Sequence, residues 1–376
     1  MQPSMPDDLA FDDSRPPTEE EWGTPLVEPR SAPDIEQRFR RRIGMVSGAV
    51  PYVAPHPWLY RPFLFLSDPR LTSIDADFAS ALSFIVARDN SCRFCYSTFR
   101  TLLRLSHFSP ADLNDLETHF AAQSFDRMEE WGLRLAVRLS RCQGVPDALD
   151  RLRALDYSAT AIREMAGISV LNLAANRIGT MLSIPVSAFE NMADQWYFRP
   201  WRDVALPLLR LTRTWANGPE GLREDEARGP LAEWVRQLRG TPVGAVMQDL
   251  VGRWLDEARP LSIRSKLLML AVVARGVAAD RLEAHLRARL TEQFGLSADG
   301  FDEAVNHLGG PAVEEREAPL LRMARASIRY DFGPIKRVAW ECTQALDRPG
   351  TLEAVASVSL ANAIARLETL RAIEAA

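Results

Sequence analysis

Cys92 and Cys95, separated by Arg93 and Phe94, are the residues whose type and spacing best suit chemistry. C-x-x-C spacing puts two sulfurs about one helical turn apart, close enough to bond. The chemistry would be exchange between dithiol and disulfide. A thiolate does the attacking, so its fraction at neutral pH depends on lowering a pKa that starts near ~8.5. A helix N-terminus would lower it, and so would Arg88 or Arg93 if either points inward. The opposite reading is a pair of buried, inert thiols, since cysteine is a common core residue. Cys142 and Cys342 lie far away in apolar helical stretches and are expected in the core.

Peroxide reduction by such a pair also needs a proton donor for the departing hydroxyl. Phe99 stands four residues past Cys95, where a base would lie one turn away. It makes the setting more apolar and supplies no proton. Asp77, Asp89, His56 and His107 could substitute, although each type commonly serves as a surface or capping residue. Tyr96, Ser97 and Thr98 can donate hydrogen bonds but are poor bases at neutral pH.

Composition narrows the class. The 376 residues suit two domains better than one small bundle. Four cysteines are too few for a disulfide scaffold at this length. No second close Cys or His pair completes a zinc site, and no metal or cofactor is expected. Of 45 basic residues only Lys266 and Lys336 are lysines. The arginines alternate with acids to a net charge of −5, with no basic stripe for nucleic acid. The longest apolar run, Leu267 to Ala274, is far shorter than the roughly 20 residues of a membrane span. The acidic, Pro-rich N-terminus has no signal-peptide pattern, which predicts a cytoplasmic protein.

The elements that must position the cysteines read as helices almost throughout. Residues 1–33 carry acids and prolines and are expected to be a disordered tail. Within the tail, Trp22, Leu26 and Val27 form a small apolar island, either a patch resting on the domain surface or a docking peptide. Beyond it, apolar residues recur at helical spacing through 76–105, 125–141, 158–182, 201–215, 230–256, 263–290 and 317–345. Ser109-Pro110, Ser158, Ser297 and Thr351 read as helix starts. Alternating Val- and Thr-rich runs are missing, so no strand is expected.

The pattern also repeats. Val-Ala-Arg at 86–88 returns at 273–275, each followed by a helix remainder and a capped helix ending at His119 or His307. The segment 157–182 is answered by 350–370 at a separation near 187 to 189 residues. Arg177 and Arg366 fall at matching places and are expected to be buried arginines bonding helix-end carbonyls or a carboxylate. Two copies are too few for a stacked array, so this is a duplication.

Four features carry a family resemblance. They are Val-Ala-Arg-x-x-x-Cys-x-x-Cys at 86–95, the following "LSHFSPADLNDLE", Asn172-x-x-x-Asn176-Arg177 before "SIPVSAFE", and the preceding "GAVPYVAPHPWLYRPFLFL". With these the chain resembles the AhpD-like superfamily, which includes alkylhydroperoxidase D and carboxymuconolactone decarboxylase. The resemblance covers about 34–192, with a weaker copy over about 225–370. It implies an all-α fold of two tandem AhpD-like helical bundles, 34–199 and 200–376, packed as an intrachain pseudo-dimer. It implies Cys92 and Cys95 as the catalytic dithiol near a helix N-terminus. The family's glutamate falls on Ser80 and its histidine on Phe99, so both relay residues are absent. In the second copy the cysteine places are held by residues such as Ala279 and Leu282, and His285 comes within one residue of the histidine place. His285, beside Glu283, is expected to be a solvated surface residue or a relic of a second site.

Two functions from different classes follow. One is a thiol–disulfide oxidoreductase or weak peroxidase, with a thiol electron donor or protein partner and a homo-oligomeric state. The other is a non-catalytic scaffold or partner-binding protein that has lost the relay. Decarboxylase activity is a weaker third, because its proton relay is equally missing.

Overall fold

The computed structural model describes residues 17–106, 108–122, 125–186, 229–256, 260–329 and 331–373. Among these every regular element is helical and none is a strand, so the fold is all-α. The helix expected over 201–215 and His107 lie outside the described residues.

Four short helices lead in: α1 (Glu19–Trp22), α2 (Pro33–Ile43), α3 (Val50–Val53) and α4 (Arg61–Leu66). The predicted helix over 76–105 is a helical hairpin. α5 (Ala76–Asp89) stops at Asn90, Ser91 takes a left-handed conformation (φ 47°), and α6 (Arg93–Leu105) starts anew. α7 (Pro110–His119), α8 (Arg127–Arg141), α9 (Val145–Ala154) and α10 (Ala159–Met181) follow.

The later part contains α11 (Ala232–Val235), α12 (Pro242–Asp256), α13 (Ile263–Gly276), α14 (Asp280–Phe294), α15 (Ala298–His307), α16 (Glu317–Ala326), α17 (Phe332–Ala345) and α18 (Arg348–Leu367). A 3₁₀ turn, Glu368–Ile373, ends it. The expected 263–290 helix breaks at Ala278 (φ 56°), as 76–105 breaks at Ser91.

α10 and α18 pack on each other more extensively than any other pair. Their side chains are buried nearly all round, which is why neither has a polar face. α5, α6 and α8 surround α10, and α13, α16 and α17 surround α18. The caps recur in step: Asp75 and Ser262, Ser109 and Ser297, and Ser158 and Asp347 each accept a first-turn amide. Asp347, not Thr351, starts α18. Pro349 sits in the first turn, where its missing N–H is harmless, and Thr351 is buried beyond it.

The central arginines cross over. Arg177 Nε on α10 donates to Ser327 O at the end of α16 (2.9 Å). Arg366 Nε on α18 donates to Ser140 O at the end of α8 (2.9 Å). Each buried guanidinium therefore satisfies a helix-end carbonyl in the other half of the chain, as expected for these arginines.

A matching pair of buried glutamates lies nearer the start of the same helices. Glu164 on α10 accepts from Thr72 N, Thr72 Oγ1, Ser73 N and Ile74 N at 2.7–3.2 Å, fixing the turn into α5. Its counterpart Glu353 on α18 instead bonds His56 Nε2 (2.5 Å) and Lys266 Nζ, and all three are buried. Lys266 also donates to Trp254 O (2.8 Å), at the end of α12.

The tail expectation needs correction from residue 17 onward. Trp22 is buried, stacks on Phe332 of α17 (centroids 5.2 Å apart) and donates to Ile184 O (2.9 Å). Its apolar island is therefore seated on the same chain. Among the described residues no helix is long and apolar enough to cross a membrane.

Candidate functional site

Cys92 is the N-cap of α6, with extended backbone (ψ 96°) and no side-chain cap bond. Its amide closes the turn on Ala87 O (3.0 Å), and its carbonyl accepts Tyr96 N (2.8 Å). The corner is braced from α8. Asn90 Nδ2 donates to Val86 O and Ser140 Oγ, and Arg141 pairs with Asp89 at 2.8 Å. Asp89, a candidate proton relay, is thus a structural ion-pair partner.

Both thiols are buried and face one point on α10. A Cβ placed on Gly179 would lie 3.1 Å from Cys92 Sγ and 3.8 Å from Cys95 Sγ. A Cβ there would press on the Cys92 sulfur by a few tenths of an ångström and touch the Cys95 sulfur at ordinary contact distance, so a longer side chain would compete with the sulfurs for space. None of the described cysteines is in a disulfide, and the Cys92 and Cys95 sulfurs are not at bonding distance. Closing the bond would require them to rotate toward each other in the first turn of α6.

The second half shows what this corner can hold. α14 corresponds to α6, and Ala279 is its N-cap in place of Cys92. Glu368 falls where Gly179 stands in the first half. Its carboxylate accepts from Arg281 N (3.0 Å) and Leu282 N (2.8 Å), the first-turn amides of α14. The corresponding amides in α6 belong to Phe94 and Cys95. A helix N-terminus presents unsatisfied N–H groups and a positive dipole end. In one half the corner holds a carboxylate; in the other it holds two sulfurs.

The proton-handling candidates do not gather here. Phe99 is buried, and Ser80 Oγ donates to its own helix at Ala76 O (2.8 Å). Asp77 is half-buried on α5. His56 is committed elsewhere: its Nδ1 accepts Leu59 N (3.3 Å), so the proton sits on Nε2 and goes to Glu353. Tyr96 donates to Glu117 Oε1 (2.5 Å), and burial together with that carboxylate pushes its phenol pKa up. Glu117, on α7, is a contact that sequence reasoning missed; the capped α7 was legible, its packing on α6 was not. Arg93 turns away from the sulfurs and donates to Pro17 O (2.9 Å).

His285 is not a solvated residue. It is half-buried, with its ring 5.0 Å from that of Trp234. Cys142 also departs from expectation: it ends α8 in a left-handed conformation (φ 56°) and is only half-buried. Cys342 is in the core, where burial pushes its thiol pKa up to about 12. A native chain at pH 8 should therefore alkylate at Cys142 and leave Cys342 unmodified, as peptide mapping after iodoacetamide would show. The raised pKa also has a sign for stability. The neutral thiol supports the fold up to the ordinary cysteine pKa, and that support is lost as pH rises from about 9 toward 12.

Among the described residues no group of three His, Cys, Asp or Glu side chains could hold a metal ion. The fold and site define an all-α protein with a buried thiol pair at a helix N-terminus. The chain matches no protein-family model, no curated protein and no solved structure.

Proposed function

We propose that the chain is a thiol–disulfide oxidoreductase of AhpD-like build, with weak peroxidase chemistry at Cys92 and Cys95. The halves 34–199 and 200–376 are tandem AhpD-like bundles forming an intrachain pseudo-dimer, and the second has lost its cysteine pair. The reciprocal Arg177 and Arg366 crossings support that arrangement, because a two-fold relation makes every contact occur twice.

One observation carries the redox reading: α10 has glycine facing both sulfurs, with the Cys92 sulfur close against it, whereas the second half has Glu368 at that place. In the reaction, a thiolate attacks the peroxide oxygen and the alcohol leaves. The second thiol then displaces water, closing the disulfide. The two thiols together lose two electrons and two protons, and an external thiol donor returns them. Without a histidine or glutamate relay, proton transfer falls to water or the leaving group, and turnover is slow. The protein is proposed to work in the cytoplasm with a thiol donor, and to self-associate.

Phe99 and the self-bonded Ser80 favour the second reading, a scaffold that keeps the fold without the chemistry. Mass spectrometry under mild peroxide separates the two. The redox reading expects a two-proton mass loss confined to the peptide holding Cys92 and Cys95, reversed by a thiol reductant. Thiols that stay free under those conditions leave the scaffold.

A further inference from the structure

Residues 17–27 are tethered to elements on either side of the corner that holds the thiols. Arg93, between the two cysteines, donates to Pro17 O (2.9 Å) and pairs with Glu19 at 3.8 Å. On the other side, Trp22 Nε1 donates to Ile184 O and Leu26 N to Leu182 O, both at 2.9 Å. Ile184 N in turn bonds Gly179 O, the residue that faces both sulfurs. A third anchor comes from the other half of the chain: Trp22 stacks on Phe332, and Lys336 Nζ donates to Trp22 O.

We propose that residues 17–27 are a strap that closes the Cys92–Cys95 corner, and that its release admits reagents to the thiols. The strap is built to open on its own. Its only helix, α1, is a single turn, too short to persist undocked. Glu19 is almost fully exposed, and of residues 17–27 Pro17, Trp22 and Val27 are buried. Such a segment opens locally at a fraction of the free energy of global unfolding. The thiols, by contrast, are held by α6 and α10, which belong to the core. As regulation of the dithiol, the strap rests on the redox reading above; as control of access, it is tested without any oxidant.

The test uses the full chain with Cys142→Ala and Cys342→Ala, so that only the pair reports. Its labelling by an aromatic disulfide reagent is timed under native conditions, before and after Trp22→Ala. The expected result is labelling faster by at least about tenfold with helical circular dichroism retained, because removing the anchor shifts the local opening equilibrium. An unchanged rate in the folded variant overturns the proposal.

A second measurement, on the parent chain, covers the case in which Trp22→Ala unfolds. Amide exchange is compared at Leu26, whose N–H bonds Leu182 O, and in the middle of α10. Thiol labelling should follow the opening that frees Leu26 and outpace the α10 amides. Labelling that appears only with exchange of the α10 amides overturns the strap. The failure of the redox reading is a separate result: thiols that label readily yet never join under peroxide.

Discussion

Lys266→Met should lower the free energy of unfolding by about 3–5 kcal/mol, because it strips a buried carboxylate of its cation. Glu353 is buried at the packed seam of α18 and α13, with Lys266 on one oxygen and His56 on the other. His56 meets Glu353 through Nε2 while its Nδ1 accepts Leu59 N, and Lys266 is the lysine cation set against the same carboxylate. Removing it leaves a charge that water cannot reach. The double variant Lys266→Met with Glu353→Leu should recover most of the loss, since a buried pair replaced by apolar groups of like volume is often close to neutral. It would still leave His56 Nε2–H unbonded, at about 1–3 kcal/mol. Urea unfolding followed by circular dichroism measures both. Equal losses in the single and double variants would show that Lys266 serves the fold through Trp254 O rather than through Glu353.

Gly179→Glu should be strongly destabilising alone and tolerated in company. With both cysteines present, its side chain must enter the space of the two sulfurs, and overpacking of that kind costs typically about 1–3 kcal/mol before any charge is counted. In the second half the same place holds Glu368 comfortably, because Ala279 and Leu282 stand where the cysteines would be and the α14 amides receive the carboxylate. The triple variant Gly179→Glu, Cys92→Ala, Cys95→Leu copies that set into the first half. It should melt within a few degrees of the parent, while Gly179→Glu alone melts well below it. A triple variant as unstable as the single one would mean that the two corners are not equivalent.

The helices and the cysteine corner were legible for separate reasons. Apolar residues at helical spacing, closed by Ser109, Ser158 and Ser297, located α7, α10 and α15 because caps and periodicity are local properties. Thr351 misled because Asp347 satisfies the same first-turn role four residues earlier, with Pro349 between. The hairpin breaks at Ser91 and Ala278 were hidden, since neither is a residue type that signals a left-handed turn. Cys142 looked like core from its apolar neighbours, yet it falls on the turn that ends α8.

The sequence by itself determined the all-α class and the spacing of the thiol pair, because composition, periodicity and spacing are written along one chain. The corner's surroundings were decided only by the tertiary structure. Gly179 lies 84 positions beyond Cys95, Trp22 lies 70 positions before Cys92, and Glu353 is 297 positions from His56. Residues so distant become neighbours only when α10 and α18 bury each other and carry their flanking helices together. That burial turns a glycine into room for two sulfurs and a tail tryptophan into an anchor.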